Sequence, residues 1–206
     1  INFKDILKIR SLHPITVNHD DDAVEKELDY CNLIGLEAAG TISKLGPNAR
    51  TDLKIGDRVV YYSVAEALFK SYSIQPSNLV VKIPDNLTFE QAASVPIVFM
   101  TAYYCLFEKT KLKKGQSVLI HCASGGVGLA AIQLCKNAGA EIFVTAGTDK
   151  KRQFLKEVVG VEHVFSSRNT KFYDEILKIT NGKGVDMIIN SLSGDMLLKS
   201  LDLLAT

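Results

Sequence analysis

The sequence predicts an α/β fold in which a parallel sheet with helical connections follows a small, strand-rich N-terminal domain. Short strand-like runs separated by turn residues fill residues 1–90. From residue 117 onward, strand-like and helix-like segments alternate, which is typical of parallel strands joined by helices. A glycine-rich turn follows the first of these strands. We therefore predict two domains, 1–90 with a small β-barrel and 91–206 with an open parallel sheet.

Composition and charge exclude several classes of function. The chain has 206 residues, of which 47% are hydrophobic and 23% charged, as in ordinary globular proteins. Its 24 basic and 23 acidic side chains leave a net charge of +1, so neither nucleic acid nor a membrane surface is an expected partner. The apolar run 92–107 carries no charge, but it is too short to span a bilayer. The four cysteines lack metal-ligand spacing and are too few for a disulfide scaffold, which favours a cytoplasmic location.

Turn and strand signals divide the N-terminal domain. Strand-like runs are expected at 35–42, 55–62, 71–74 and 79–83, the second beginning with a turn. Pro84 ends the last run. The acidic segment 18–27 lacks periodicity, which indicates a solvated loop.

Capping and periodicity predict the elements that follow. Thr88, with Gln91 three residues later, forms a capping box that opens a helical stretch extending to about Lys109. Parallel strands are then predicted at 117–122, 141–146, 163–165 and 185–190, and helices at 127–137, 150–158, 172–180 and 195–204.

The turn after the first parallel strand has the composition of a dinucleotide-binding loop, which predicts a Rossmann-type sheet. Its residues match G-x-G-x-x-G, with alanine at the first glycine: Ala123-Ser124-Gly125-Gly126-Val127-Gly128. A small residue allows the tight turn, Gly125 lets the backbone approach a pyrophosphate, and Gly128 lets the helix pack on the strand. The helix N-terminus would point N–H groups at the phosphates. The alternative is a glycine turn that only packs a helix on a strand.

The end of the second parallel strand indicates which dinucleotide is bound. An NAD-binding protein places a carboxylate there for the ribose 2′-hydroxyl, whereas this chain has Gly147 and Thr148. Lys151 follows, and Arg168, just past the third strand, could add a second cation. Hydroxyl and cationic groups suit a 2′-phosphate, so we predict NADPH as the cofactor. Asp149 opposes this prediction but lies two positions late, and the alternative is a solvated, charged helix start.

Further sequence blocks are spread along the chain. They are INFKDIL (1–7), GLEAAG (35–40), GDRV (56–59), AASVP (92–96), TAY (101–103), HCASGGVG (121–128), SRNT (167–170), GKGVD (182–186) and NSLSG (190–194). These blocks resemble the medium-chain dehydrogenase/reductase superfamily. Within it, the chain is most similar to the enoyl reductase domains of polyketide synthases and animal-type fatty acid synthases. The first and last blocks are the most specific, since quinone reductases of the superfamily lack the two together.

The resemblance implies a reaction and its setting. A nicotinamide hydride would go to Cβ of an α,β-unsaturated acyl thioester and a proton to Cα, while acyl carrier protein would hold the acyl chain. Neighbouring synthase domains and a homodimer of the parent protein are implied as partners. The N-terminal domain would be part of a GroES-like barrel. The resemblance also implies that the barrel and the Rossmann sheet are incomplete here, so we expect weak or no activity from these residues alone.

The resemblance also implies site residues, each with a simpler alternative. Asn2 is similar to the residue that faces the nicotinamide, or else it is a strand-end side chain bonded to backbone. Thr101 is similar to a residue beside the nicotinamide, or else its hydroxyl bonds a helix carbonyl. His13 stands where a tyrosine linked to Cα protonation is often found, or else it is a loop residue. Asn190 and Ser191 follow the fourth strand at the edge where ligands gather, so we expect them to contact the cofactor.

The metal-ligand pattern of zinc-dependent relatives is missing. They carry G-H-E, where this chain has Leu36, which cannot ligate a metal. A thioester oxygen would then be stabilised by hydrogen bonds. His121 follows a buried strand and is expected to be packed rather than catalytic. Two other functions remain open: a free-standing quinone or alkenal reductase of the same fold, and a degenerate reductase domain that only scaffolds a synthase.

Overall fold

The computed structural model describes residues 1–10, 12, 34–63 and 67–205. The chain forms two compact units, Ile1–Ile97 and Val98–Thr206. None of the helices in these ranges is long and apolar enough to cross a bilayer.

The first unit is built on a three-stranded antiparallel sheet in the order β1-β2-β3. Cross-strand pairs such as Ala39 with Val60, and Val60 with Val81, set its register. A small apolar cluster centred on Leu53 and Val59 packs against the sheet. The elements are α1 (Phe3–Ile9), β1 (Glu37–Thr41), β2 (Arg58–Tyr62), a 3-10 turn (Ser77–Leu79), β3 (Val80–Lys82) and α2 (Phe89–Ala93).

The prediction of a strand at 71–74 is wrong. These residues carry no regular secondary structure, and Tyr72 and Ile74 are 80% and 88% exposed. Alternation predicted a strand, but a strand also needs a neighbour that exchanges backbone hydrogen bonds with it. No such neighbour pairs with this segment among the described residues. The other predicted strands of this domain are confirmed in shorter form as β1, β2 and β3.

The predicted capping box is present. The Thr88 hydroxyl accepts from the Gln91 amide, and the Gln91 side chain accepts from the Thr88 amide. Helix α2 ends before Pro96, because proline lacks an N–H and disfavours a helical residue before it. A second helix, α3 (Pro96–Tyr103), begins there and continues as a π-helical segment (Tyr104–Lys109). The predicted helical stretch therefore reaches Lys109, but with a break.

The second unit alternates strands and helices, which confirms the predicted α/β organisation. All strand pairs of its sheet are parallel, in the order β6-β5-β4-β7. The elements after α3 are β4 (Ser117–Ile120), α4 (Gly126–Ala138), β5 (Glu141–Ala146), α5 (Asp149–Glu157), β6 (His163–Ser166), α6 (Lys171–Ile179), β7 (Met187–Ile189) and α7 (Asp195–Leu201). The predicted strands 117–122 and 185–190 and the predicted helix 195–204 are thus shorter than expected.

The strand order creates a switch point beside β4. The chain moves outward from β4 through β5 to β6 and then returns to place β7 on the other side of β4. Connections from β4 and β7 therefore diverge at the carboxyl ends of these neighbouring strands. Ligands of open α/β sheets bind at such a point. The glycine-rich turn leaves β4 there.

Both faces of this sheet are buried. Val118 and Ile120 pack into one apolar cluster with helices α3 and α4, whereas Leu119 packs with Phe172 of α6 in a second cluster. This two-sided burial explains why β4 is a continuous apolar run rather than an alternating one.

One carboxylate joins the amino ends of β4 and β7. The Oδ2 atom of Asp186 accepts from the amide and the hydroxyl of Ser117, at 2.7 and 2.8 Å. The Ser117 hydroxyl in turn accepts from the Asp186 amide at 3.0 Å. These bonds, led by the backbone N–H of Ser117, lower the pKa of Asp186. The aspartate of the GKGVD block is therefore structural.

Candidate cofactor site

The turn between β4 and α4 is closed tightly by backbone hydrogen bonds. The buried Ala123 donates its amide to the Thr145 carbonyl at 3.1 Å, and Gly125 donates to the Cys122 carbonyl at 2.9 Å. Cys122 has a positive φ of 49°, which ends the strand two residues earlier than predicted. Gly125 is the N-cap of α4, and no side chain caps this end of the helix. The helix therefore begins with an open N-terminus at the switch point.

The three glycines of the turn are each required for a different structural reason. A Cβ on Gly128 would lie 2.5 Å from the Ala123 Cα, and one on Gly126 would lie 2.8 Å from the Val98 side chain. Both positions therefore exclude larger residues through packing. Gly125 is exposed, and a Cβ there would approach only the Cys122 carbonyl, at 3.3 Å. Its missing side chain leaves the backbone at the helix N-terminus accessible.

The guanidinium of Arg168 lies against the turn that follows β5. The Arg168 Nε atom donates to the Gly147 carbonyl at 3.2 Å, although the residues are 21 positions apart. A Cβ on Gly147 would come within 2.8 Å of the Arg168 guanidinium. Thr148 is the N-cap of α5, and its hydroxyl accepts from the Lys151 amide at 3.3 Å. The predicted residues Gly147, Thr148, Lys151 and Arg168 thus lie around one turn.

Sequence reasoning missed the role of Arg152. Its guanidinium donates to the Ala146 carbonyl at 2.9 Å and also binds the Asp149 carboxylate. The Asp149 carboxylate, which in the sequence argued against a 2′-phosphate, is therefore paired with a cation. The spacing of Asp149 and Arg152, three residues apart at a helix start, was the available signal.

Asn190 and Ser191 lie at the carboxyl end of β7, as predicted, and both are exposed. The Asn190 side chain folds back on its own loop, with its Oδ1 accepting from the Leu192 amide and its Nδ2 donating to the Leu192 carbonyl. This Asx-type turn fixes the loop that leaves β7. The structure thus places three loops, after β4, β5 and β7, at one edge of the sheet.

Asn2 is a helix cap and not the strand-end residue of the alternative interpretation. Its side chain accepts from the Lys4 amide at 3.1 Å, while the Asp5 carboxylate accepts from the Asn2 amide at 2.8 Å. The Asn2 Nδ2 atom also donates to Glu37 at 3.3 Å. The other Glu37 oxygen accepts from the Ile97 amide at 2.9 Å.

Asp5 is a second residue that sequence reasoning missed. It is fully buried, and its two oxygens accept from the amides of Asn2 and Gly35, each at 2.8 Å. Gly35 has a φ of +87°, and a Cβ there would lie 2.6 Å from the Phe69 side chain. The aspartate of the opening block therefore anchors the glycine that begins the GLEAAG block. Next to it, Leu36 is buried and apolar.

Thr101 lies on helix α3 and is exposed. It borders a depression of about 720 Å³ whose walls include Met100, Tyr103 and Leu134. His13 and His19 lie outside the described residues. Among the residues that the structure describes, no group of three His, Cys, Asp or Glu side chains could hold a metal ion.

His121 is packed, as expected. It is 2% exposed, and its ring meets Phe172 edge-on with centroids 5.3 Å apart. Its two ring nitrogens lie 2.8 Å from the Thr145 hydroxyl and 2.9 Å from the Ser200 hydroxyl. Burial lowers the pKa of His121 to about 4, so the ring is neutral at pH 7. His121 stands directly before the glycine turn, and its ring bonds β5 through Thr145 and α7 through Ser200.

Comparison with known proteins agrees with this arrangement. A reducing polyketide synthase, hmp8, of Hypomyces subiculosus is 43% identical over 208 residues, covering 100% of this chain and 8% of the relative. The CurK enoyl reductase structure matches with a TM-score of 0.85 and 36% identity, over 100% of this chain and 60% of that one. The chain belongs to the polyketide synthase enoyl reductase family. It spans under a tenth of the synthase it matches and somewhat more than half of the enoyl reductase.

Two further matches describe the wider superfamily of these enoyl reductases. Residues 126–206 match a family described as zinc-binding dehydrogenase, a range that does not include Leu36. A quinone oxidoreductase of Escherichia coli, complexed with NADPH, is 32% identical with a TM-score of 0.80, over 99% of this chain and 58% of that one. The predicted fold class, a Rossmann-type sheet after a GroES-like part, is therefore confirmed.

Proposed function

We propose that this chain takes part in the NADPH-dependent reduction of the α,β double bond of an enoyl thioester, as the enoyl reductase region of a polyketide synthase. The observation that carries the proposal is the turn of residues 122–128, in which an uncapped helix begins at an accessible Gly125 beside the switch point. The family of the chain supplies the reaction class. We assign domain 1–90 to the GroES-like part and domain 91–206 to the Rossmann part.

The residues of the turn fit a dinucleotide pyrophosphate. The open N-terminus of α4 offers N–H groups and the positive end of a 13-residue helix. Gly125 allows a phosphate to approach the backbone, while Gly126 and Gly128 allow helix α4 to pack closely against Val98 and Ala123. We propose that Ala123, Ser124 and Val127 complete this cradle, and that Asn190 and Ser191 contact the cofactor from the β7 loop.

The turn after β5 fits a 2′-phosphate better than a free ribose hydroxyl. Arg168 is held over Gly147, and Thr148 and Lys151 lie at the start of α5. A guanidinium, an ammonium and a hydroxyl all donate hydrogen bonds to phosphate oxygens. The NADPH complex of the similar Escherichia coli quinone oxidoreductase supports the same cofactor here.

When bound, NADPH supplies the hydride that reduces Cβ of the substrate. We propose that Asn2 and Thr101 line the nicotinamide and that His13 delivers the proton to Cα. In this assignment Glu37 orients the Asn2 amide, because it accepts from the Asn2 Nδ2 atom. The thioester oxygen would be stabilised by hydrogen bonds, with no metal ligand at Leu36.

The relatives support a setting for the reaction. Because hmp8 is a reducing polyketide synthase, we propose that the substrate arrives on an acyl carrier protein and that other synthase domains adjoin this chain. We further propose that the parent protein is a homodimer and works in the cytoplasm.

A binding and turnover experiment on the full-length protein tests the proposal. NADPH fluorescence should change saturably on titration, and a 2-enoyl pantetheine thioester should be converted to the saturated thioester with consumption of NADPH. Mass spectrometry of the product should show a gain of two hydrogens. Absence of saturable NADPH binding would favour the degenerate scaffold and would contradict the proposal.

The quinone oxidoreductase match raises a second candidate function, reduction of a quinone or alkenal. The two are separated by substrate competition. If a benzoquinone is reduced with a much higher kcat/KM than the enoyl thioester, the second function is correct.

A further inference from the structure

The guanidinium of Arg152 joins the end of β5 to the start of α5. Its Nη1 atom donates to the Ala146 carbonyl at 2.9 Å, and its Nη2 atom binds Oδ1 of Asp149. The side chain of Arg152 is 23% exposed, whereas that of Asp149 is 99% exposed. A largely buried cation therefore holds a fully exposed carboxylate.

The Asp149–Arg152 pair bears on cofactor choice because of where Asp149 lies. Asp149 is the first residue of α5, between Thr148 and Lys151, which are proposed to hold the 2′-phosphate. An unpaired carboxylate there would repel a phosphate. It is also the kind of group that accepts a hydrogen bond from the free ribose 2′-hydroxyl of NADH.

We propose that Arg152 is a specificity-determining positioning residue, which favours NADPH over NADH by holding and neutralising the Asp149 carboxylate. The inference rests on the proposed function. Arg152 is assigned a role through Asp149, because one of its terminal nitrogens binds that carboxylate and the other donates to the Ala146 carbonyl. Arg168 differs, since it is held through Nε on the Gly147 carbonyl and presents its exposed end to the same turn.

The first test compares the dissociation constants of NADPH and NADH for the full-length protein, by fluorescence titration. Arg152→Gln should weaken NADPH binding about fivefold and NADH binding less than about twofold, because a solvent-facing ion pair contributes up to about 1 kcal/mol. Arg152→Lys should retain most of the preference, since an ammonium can still pair with a carboxylate three residues away. Lys150→Gln, which removes the same charge one residue from Asp149, is the matched control and should change either constant less than about twofold.

The decisive test places Arg152→Gln in an Asp149→Asn background. There it should change NADPH binding by less than about twofold, because no carboxylate remains to be neutralised. A fivefold loss that persists in that background would show that Arg152 binds the cofactor directly and would overturn the inference. An equal loss for NADH, or the same loss in Lys150→Gln, would also overturn it. If the unsubstituted protein bound neither nucleotide, the proposed function itself would be wrong, which is a separate and recognisable result.

Discussion

The Nε2 atom of His121 lies 2.9 Å from the hydroxyl of Ser200, which is 79 residues further along the chain. That hydroxyl also lies 2.6 Å from the Met196 carbonyl, so its single proton is donated there. Ser200 must then accept from His121, which places the ring proton on Nε2 and makes Nδ1 the acceptor of the Thr145 hydroxyl. A buried histidine of fixed tautomer thus connects β4, β5 and α7.

Stability should fall on mild acidification because of His121. Its pKa is lowered by burial from 6.5 to about 4. A depressed pKa favours the folded state above pH 6.5, and this contribution is lost as the pH falls towards 4. The loss amounts to about 3 kcal/mol over that window. Urea unfolding at pH 7 and pH 4.5 measures it, with His121→Gln as the comparison. An equal acid sensitivity of the variant would contradict the assignment.

Gly128→Ala should disturb both stability and cofactor binding. The added methyl group would lie 2.5 Å from the Ala123 Cα, so helix α4 must shift away from the turn. We expect a loss of about 1–3 kcal/mol in the free energy of unfolding, together with weaker NADPH binding. Gly46→Ala is the matched control, because nothing lies within 4 Å of a Cβ there. Thermal unfolding and NADPH titration of both variants would decide, and equal effects would remove the packing explanation.

Arg168→Ala should reduce NADPH affinity about tenfold and leave NADH affinity nearly unchanged, since a charge-assisted phosphate contact is worth about 1–3 kcal/mol. The exposed Arg50, which pairs with Asp52 in the first unit, offers a control of equal charge. Arg50→Ala should bind both nucleotides as the unsubstituted protein does. If NADH binding fell as much as NADPH binding in Arg168→Ala, the assignment of a 2′-phosphate site would be wrong.

Asp5→Asn should destabilise the first unit, although less than Asp5→Ala, which leaves both amides without an acceptor. Both carboxylate oxygens accept from backbone amides, of Asn2 and Gly35, and an asparagine NH₂ group cannot accept. One buried N–H left without an acceptor costs about 1–3 kcal/mol. The exposed Asp85 provides the comparison, and Asp85→Asn should be neutral. Urea midpoints measure the difference, and an unchanged stability of Asp5→Asn would contradict the importance of the second acceptor oxygen.

Local patterns were sufficient for most elements of the second unit. The strand predicted at 141–146 matches β5, and in the first unit the Thr88 capping box begins α2 as expected. These signals depend on neighbours within one or two turns, so they can be found without knowledge of the fold. The strand predicted at 71–74 was wrong because strand formation depends on a partner elsewhere in the chain.

The sequence by itself determined the α/β alternation, the glycine turn and the cationic character of the loop after β5, because helix period, strand period and glycine requirements are properties of short segments. Only the tertiary structure decided which distant groups meet. Arg168 reaches Gly147 across 21 residues, Asp5 reaches Gly35 across 30, and His121 reaches Ser200 across 79. Such contacts arise from strand order and burial, which bring together side chains that have no relation in sequence spacing.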